Sequence, residues 1–204
     1  MNHHLSRTGR RAIPILAGTA VAALAITSAA FAATSPDAAS AASTATAATP
    51  QCTAAIGQNG NVSVWVSDGQ GNGAAGTIYY PLEFTNLSKH ACSMHGFPGV
   101  SAISRAGKQL GSPANWESGG GFGTSRTVVV APGATVHAIL AYHDVEVSTA
   151  SGCDPVNTTA ELRVYPPNER GAAYAFFDLE ACSHAGPVYL SVGPIKPGVG
   201  TING

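Results

Sequence analysis

Val62, Val64 and Val66 alternate with Ser63, Trp65 and Ser67, so Asn61 to Ser67 has one apolar face and one mixed face. Strict period two marks a half-buried strand. After a glycine-rich loop from Gly69 to Gly76, the same beat runs from Thr77 to Asn86, with Ile78, Tyr80, Leu82 and Phe84 on one side. Pro81 falls on the other side. It has no amide hydrogen to give to a ladder, which predicts an edge strand or a bulge. Val100 to Ser104 and Gln109-Leu110 flank Arg105-Ala106-Gly107-Lys108, a hairpin turn with a glycine available for positive φ. Thr127 to Val130 and Thr135 to Tyr142 flank Ala131-Pro132-Gly133, and the Pro-Gly signal predicts that these two runs form a hairpin. Glu161 to Tyr165 alternates with Leu162 and Val164 inward and ends at Pro166-Pro167. Ala173 to Leu179 and Val188 to Val192 are the last two expected strands.

Eight or nine short strands, turn signals between them and no amphipathic helix predict an all-β fold. The spacing suits an immunoglobulin-like antiparallel β-sandwich. A barrel is the structural alternative.

The N-terminus follows a different pattern. Arg7, Arg10 and Arg11 precede any acid, an Ala-rich apolar run extends from Ala12 to Ala33, and Ala30-Phe31-Ala32 closes it with a small-x-small site. This is the three-part layout of a secretory signal, expected over residues 1–32. A retained membrane anchor is the rival, since the run is long enough to span a bilayer. Pro14, Gly18, Thr19, Thr27 and Ser28 dilute it, however. The flanks of Arg10-Arg11 match a twin-arginine signal poorly, and the first cysteine after the run is Cys52, too distant for lipidation. Residues 33–50 are almost wholly Ala, Ser, Thr and Pro. They carry too little apolar surface to offset ordering entropy and read as a flexible spacer. Residues 51–204 then form one disulfide-stapled domain.

Four cysteines follow the apolar run: Cys52, Cys92, Cys153 and Cys182. Outside the cytosol an even count reads as disulfides. Three pairings are possible. Cys52 with Cys92 and Cys153 with Cys182 is preferred, because each closes a compact segment. The spacings lack C-x-x-C and do not suit a zinc site. The formal charge is −1, from ten basic and eleven acidic residues. That excludes a basic field for nucleic acid and a polybasic patch for anionic lipid.

Phe84-Thr85-Asn86-Leu87-Ser88, Cys92 through Gly96-Phe97-Pro98-Gly99-Val100, Gly107, Leu110-Gly111, Val130-Ala131-Pro132-Gly133 and Leu162-Arg163-Val164-Tyr165-Pro166-Pro167 carry a family pattern. On these the chain resembles the actinobacterial secreted domain of unknown function 4232, from about Cys52 to Ile195. The resemblance implies export and no known activity, so it brings no catalytic residues. The lipid-anchoring cysteine of some members is missing.

Candidate chemistry is sparse. There is no G-x-S-x-G elbow, and His143-Asp144 are strand neighbours that point apart. An enzyme would need Asp144, Glu180 and His184 to converge in a deep pocket. A copper-type metal site would use His95 and Met94 with His143 or His184. Neither arrangement is forced by spacing, so no catalytic residue, metal ligand or cofactor is expected. Gly96-Phe97-Pro98-Gly99 reads more readily as a tight turn than as a ligand loop. Aromatic side chains offer the best binding signal. Trp65 and Tyr79 lie opposite the apolar face of their strands, Phe97 sits in the glycine-proline turn, and Trp116 and Phe122 fall in the irregular stretch from Ser112 to Gly123. Such rings can stack on sugar or grip a protein. The sequence therefore predicts a secreted or cell-wall-associated, non-enzymatic binding module. Its partner would be an envelope glycan or another exported protein, with neither nucleic acid nor membrane as ligand.

Overall fold

Alternation becomes pairing once neighbouring strands are in place. A computed structural model describes residues 48–54, 60–67, 73–145, 152–156, 159–186 and 188–201. The expected signal at 1–32, and the spacer before residue 48, lie outside the described residues. The strands are β1 (Val62–Val66), β2 (Gly73–Ala74), β3 (Thr77–Asn86), β4 (Cys92–His95), β5 (Gly99–Ile103), β6 (Gln109–Leu110), β7 (Asn115–Trp116) and β8 (Thr127–Val130). They continue with β9 (Thr135–His143), β10 (Pro155–Val156), β11 (Thr159–Tyr165), β12 (Ala173–Asp178), β13 (Ala181–Cys182), β14 (Leu190–Val192) and β15 (Lys196–Pro197). Among the described residues this gives fifteen strands and one short 3-10 turn, Gly120–Phe122. The fold is all-β. The excess over eight or nine strands comes from β4 and from five two-residue pieces, which are too short to show a period. Among the described residues, no helix is long and apolar enough to cross a membrane.

The first sheet runs β1-β3-β9-β14-β7, with β2 on β3 and β15 on β9. The second runs β12-β11-β5-β6. Both turn their apolar faces into one core. Val62, Val64, Leu82, Phe84 and Leu140 come from the first sheet, and Val100, Ala102, Leu162, Val164 and Ala175 from the second. Each fully buried large aliphatic or aromatic side chain contributes about 1.5–3 kcal/mol. Disulfides join Cys52 to Cys92 and Cys153 to Cys182, the pairing preferred from the sequence. The first ties the segment before β1 to β4. The second ties the small β10–β13 pair to the chain ahead of it.

Two expectations change. Pro81 does not mark an edge: β3 lies between β1 and β9. On a strand, a residue's N–H and C=O point the same way. The Pro81 carbonyl accepts the Ser67 amide, one residue past the end of β1. The missing donor therefore points toward β1 beyond that strand's last paired residue, Val66 opposite Leu82. The second change concerns the Pro132-Gly133 turn, which does not close a hairpin. β8 pairs with β4, while β9 enters the first sheet. The turn is instead pinned by Asn86, whose carbonyl accepts the Gly133 amide and whose amide donates to the Ala134 carbonyl.

Candidate functional site

The aromatic residues nominated from sequence do not all converge: Phe97 and Trp116 meet, but Trp65 does not join them. Trp65 projects from β1 and is 41% exposed, its indole donating to Thr85 Oγ1 at 3.2 Å. Trp116 sits on β7, at the opposite edge of the same sheet. Four strand steps of about 4.8 Å separate β1 from β7, about 19 Å in all. One small platform cannot use both. Trp116 instead stacks on Phe97, with ring centroids 5.5 Å apart and planes at 15°. Its indole donates to the Pro98 carbonyl at 3.2 Å, which fixes the ring over the glycine-proline turn. Phe122 meets Tyr79 edge-on at 6.1 Å and lies against Gly193, where an added Cβ would come within 2.9 Å of its ring. Phe97 and Phe122 are thus half-buried packing partners, and Tyr79 is drawn into the same packing.

The second sheet carries a surface that the sequence reading missed. Its outward side bears Glu161, Arg163 and Tyr165 on β11, Tyr174 and Phe176 on β12, Ser101 on β5 and Gln109 on β6. Cross-strand register sets these neighbours. Arg163 is opposite both Tyr174 and Ser101, and Glu161 is opposite both Phe176 and Ile103. The Arg163 Nη2 donates to Gln109 Oε1 at 2.9 Å, and the guanidinium carbon lies 5.9 Å from the centre of the Tyr165 ring. A guanidinium at that range is attracted to the ring face. The Tyr165 ring in turn lies across Gly99, where an added Cβ would touch it at 3.5 Å. Tyr174 and Phe176 remain 46% and 68% exposed. Register against β11 decides which side of β12 faces out. Ala173 and Ala175 pair with Val164 and Leu162, whose inward direction was already assigned. The small residues of Ala-Tyr-Ala-Phe must therefore point in and the large rings out.

The fold also explains the residues that carry the family resemblance. Asn86 is fully buried, and its side chain makes four hydrogen bonds. Nδ2 donates to the carbonyls of His90 and Val130 at 2.8 and 2.9 Å, and Oδ1 accepts the Ser88 amide and hydroxyl at 2.9 and 2.8 Å. Gly111 adopts φ 69°, and an added Cβ would sit 2.2 Å from the buried Tyr189 ring. The Tyr189 hydroxyl donates to the Leu110 carbonyl at 2.8 Å. A family model described as Domain of unknown function (DUF4232) matches residues 57–196. The chain belongs to this family. No curated protein and no solved structure matches it.

Within this DUF4232 chain the metal candidates do not gather into a site among the described residues. On β4, Met94 points into the core at 1% exposure while its neighbour His95 points out, toward Thr127 Oγ1 at 3.3 Å. His143 pairs with Thr77 Oγ1 at 2.9 Å. His184 lies 3.9 Å from Asp154 and 3.0 Å from Ser183 Oγ. Among the described residues, no three His, Cys, Asp or Glu side chains cluster to hold a metal ion. Asp144 and Glu180 both act on the phenol of Tyr142, whose pKa is pushed up to about 12, first by burial and then by these charges.

Proposed function

We propose that this DUF4232 chain is an exported, non-enzymatic binding module, with an immunoglobulin-type sandwich that holds an envelope glycan on the outward face of its second sheet. The observation that carries the reading is the exposed pair Tyr174 and Phe176 beside Arg163, Glu161 and Gln109. Aromatic rings that could be buried but stand in solvent offer flat apolar faces, and sugar C–H faces stack on such rings. The interleaved guanidinium, carboxylate and amide supply the donors and acceptors that sugar hydroxyls need. A protein partner is the weaker fit. Glu161 and Arg163 interrupt the apolar surface, whereas protein-binding patches are contiguous and depleted of charge at their centre. The two disulfides suit an oxidising compartment outside the cytosol. The N-terminal signal and spacer pattern supply a route out of the cell and a tether for reach.

Co-sedimentation with purified cell-wall sacculi tests the proposal. The chain should pellet with sacculi stripped of protein, and Tyr174→Ala with Phe176→Ala should lose about 5- to 150-fold in affinity, two stacked rings being worth about 1–3 kcal/mol. Trp116→Ala should bind as wild type. Binding only to sacculi that retain their proteins would move the ligand class to protein. Binding to neither would sink the reading.

A further inference from the structure

Four residues form a row across the outward face of the first sheet. Trp65 on β1 is opposite Glu83 on β3, Glu83 is opposite His137 on β9, and His137 is opposite Lys196 on β15. After β15 the chain turns at Gly198 and runs back over this row. His137 Nδ1 donates to the Gly198 carbonyl at 2.8 Å, and the Gly200 amide donates to Glu83 Oε1 at 2.9 Å. The approach is close: a Cβ on Gly200 would fall 2.5 Å from Pro81 Cβ and 3.0 Å from the His137 ring. Beneath this strap Glu83 has no exposed surface, and its Oε2 has no hydrogen-bond partner among the described residues. The other charged group in the row, Lys196, is engaged elsewhere, its Nζ donating to the Gly121 carbonyl at 2.8 Å. Trp65 and the strap residues Gly198 to Gly200 bring no charge.

We propose that the C-terminal strap, residues 198–201, is a proton-controlled latch that closes over Glu83 while its carboxyl carries a proton and opens as that carboxyl ionises. A neutral carboxyl tolerates a dry site with one bond from Gly200. An ionised one, with one oxygen unpartnered, needs water or a cation, and water reaches it only when the strap lifts. Opening uncovers Glu83 and His137 beside Trp65 and changes that face from closed to polar.

The expected sign follows from linkage. Burial raises the Glu83 pKa above its ordinary 4.5, against the lowering effect of the Gly200 amide. The Glu83 contribution to closure is then complete below 4.5 and weakens as pH rises through the raised value, by up to tenfold per pH unit. His137 has the opposite slope. Burial lowers its pKa from 6.5, the Gly198 carbonyl opposes this, and Lys196 adds to it, so closure weakens as pH falls below 6.5. Glu83→Gln keeps the acceptor for Gly200 and leaves His137 in place, so a comparison with wild type isolates the carboxyl.

The test is amide exchange of the strap in the full chain from about pH 4 to about pH 8, with the Glu83 carboxyl carbon followed by NMR. Gly200 protection in wild type, divided by that in Glu83→Gln, should fall as pH rises above 4.5, and the Glu83 midpoint should lie above 4.5. Gly200→Ala, which cannot close, should return the midpoint to that ordinary value. A ratio that stays flat would show a structural strap without control. A ratio that rises with pH would show that His137 holds the ionised carboxyl as an ion pair. Either result overturns the latch.

Discussion

Asn86 links the end of β3, the 88–90 turn and β8 through four hydrogen bonds within a fully buried site. Asn86→Ala removes all four. Each bond is worth about 0.5–1.5 kcal/mol net. The Ser88 hydroxyl keeps a second partner in the His90 carbonyl, and water reaches the exposed turn, so the expected loss is about 2–4 kcal/mol. Asn86→Asp tests the chemistry more sharply. It preserves shape and both Ser88 bonds, but replaces the donor that faces two carbonyls with an acceptor. At neutral pH it should cost at least as much as the alanine change, because a buried charge would then face two oxygens. The introduced carboxyl has its folded pKa raised above the unfolded value of about 3.9. Stability is therefore present below that value and lost as pH rises through the folded one. Urea unfolding at neutral and acid pH, read as the midpoint at constant slope, measures both effects. Acid should close part of the gap between Asn86→Asp and wild type and leave the gap for Asn86→Ala. An Asn86→Asp variant within about 0.5 kcal/mol of wild type at neutral pH would refute the assigned role of Nδ2.

Two further outcomes follow from the packing. Gly111→Ala places a methyl 2.2 Å from the Tyr189 ring at a positive φ. It should cost about 2–4 kcal/mol by overpacking and backbone strain, measured as a fall in denaturation midpoint. Opening Cys52–Cys92 or Cys153–Cys182, with sequence separations of 40 and 29, should each remove about 3–4 kcal/mol. Retention of full thermal stability by the reduced chain would contradict their role.

The strands were legible where one face meets the core and the other meets water. β1 and β11 read correctly because Val62, Val64, Leu162 and Val164 alternate with polar residues. β4 was missed because four residues, Cys92 to His95, are too few to establish a period. Partner choice was less legible than strand content. The Pro-Gly turn signals a reversal but does not specify that β8 leaves for β4, a choice set by the tertiary bonds of Asn86. The burial of Glu83 and His137 was hidden for a related reason. The covering segment, Gly198 to Thr201, docks through a backbone carbonyl, a backbone amide and glycine rather than through apolar side chains. Trp65, Phe97, Trp116 and Phe122 were nominated as large rings in exposed-looking positions, yet three of them pair with other rings. Tyr174 and Phe176 escaped notice because their direction depends on register against β11.

Titration of the isotope-labelled chain with soluble, protein-free wall glycan fragments, followed by backbone amide shifts, tests the central claim most directly. The account predicts saturable shifts confined to β11, β12, β5 and β6, centred on Arg163, Tyr174 and Phe176, and absent after Phe176→Ala with Tyr174→Ala. Shifts centred on Trp65 or on the Phe97–Trp116 stack, or no shifts at all, would contradict it.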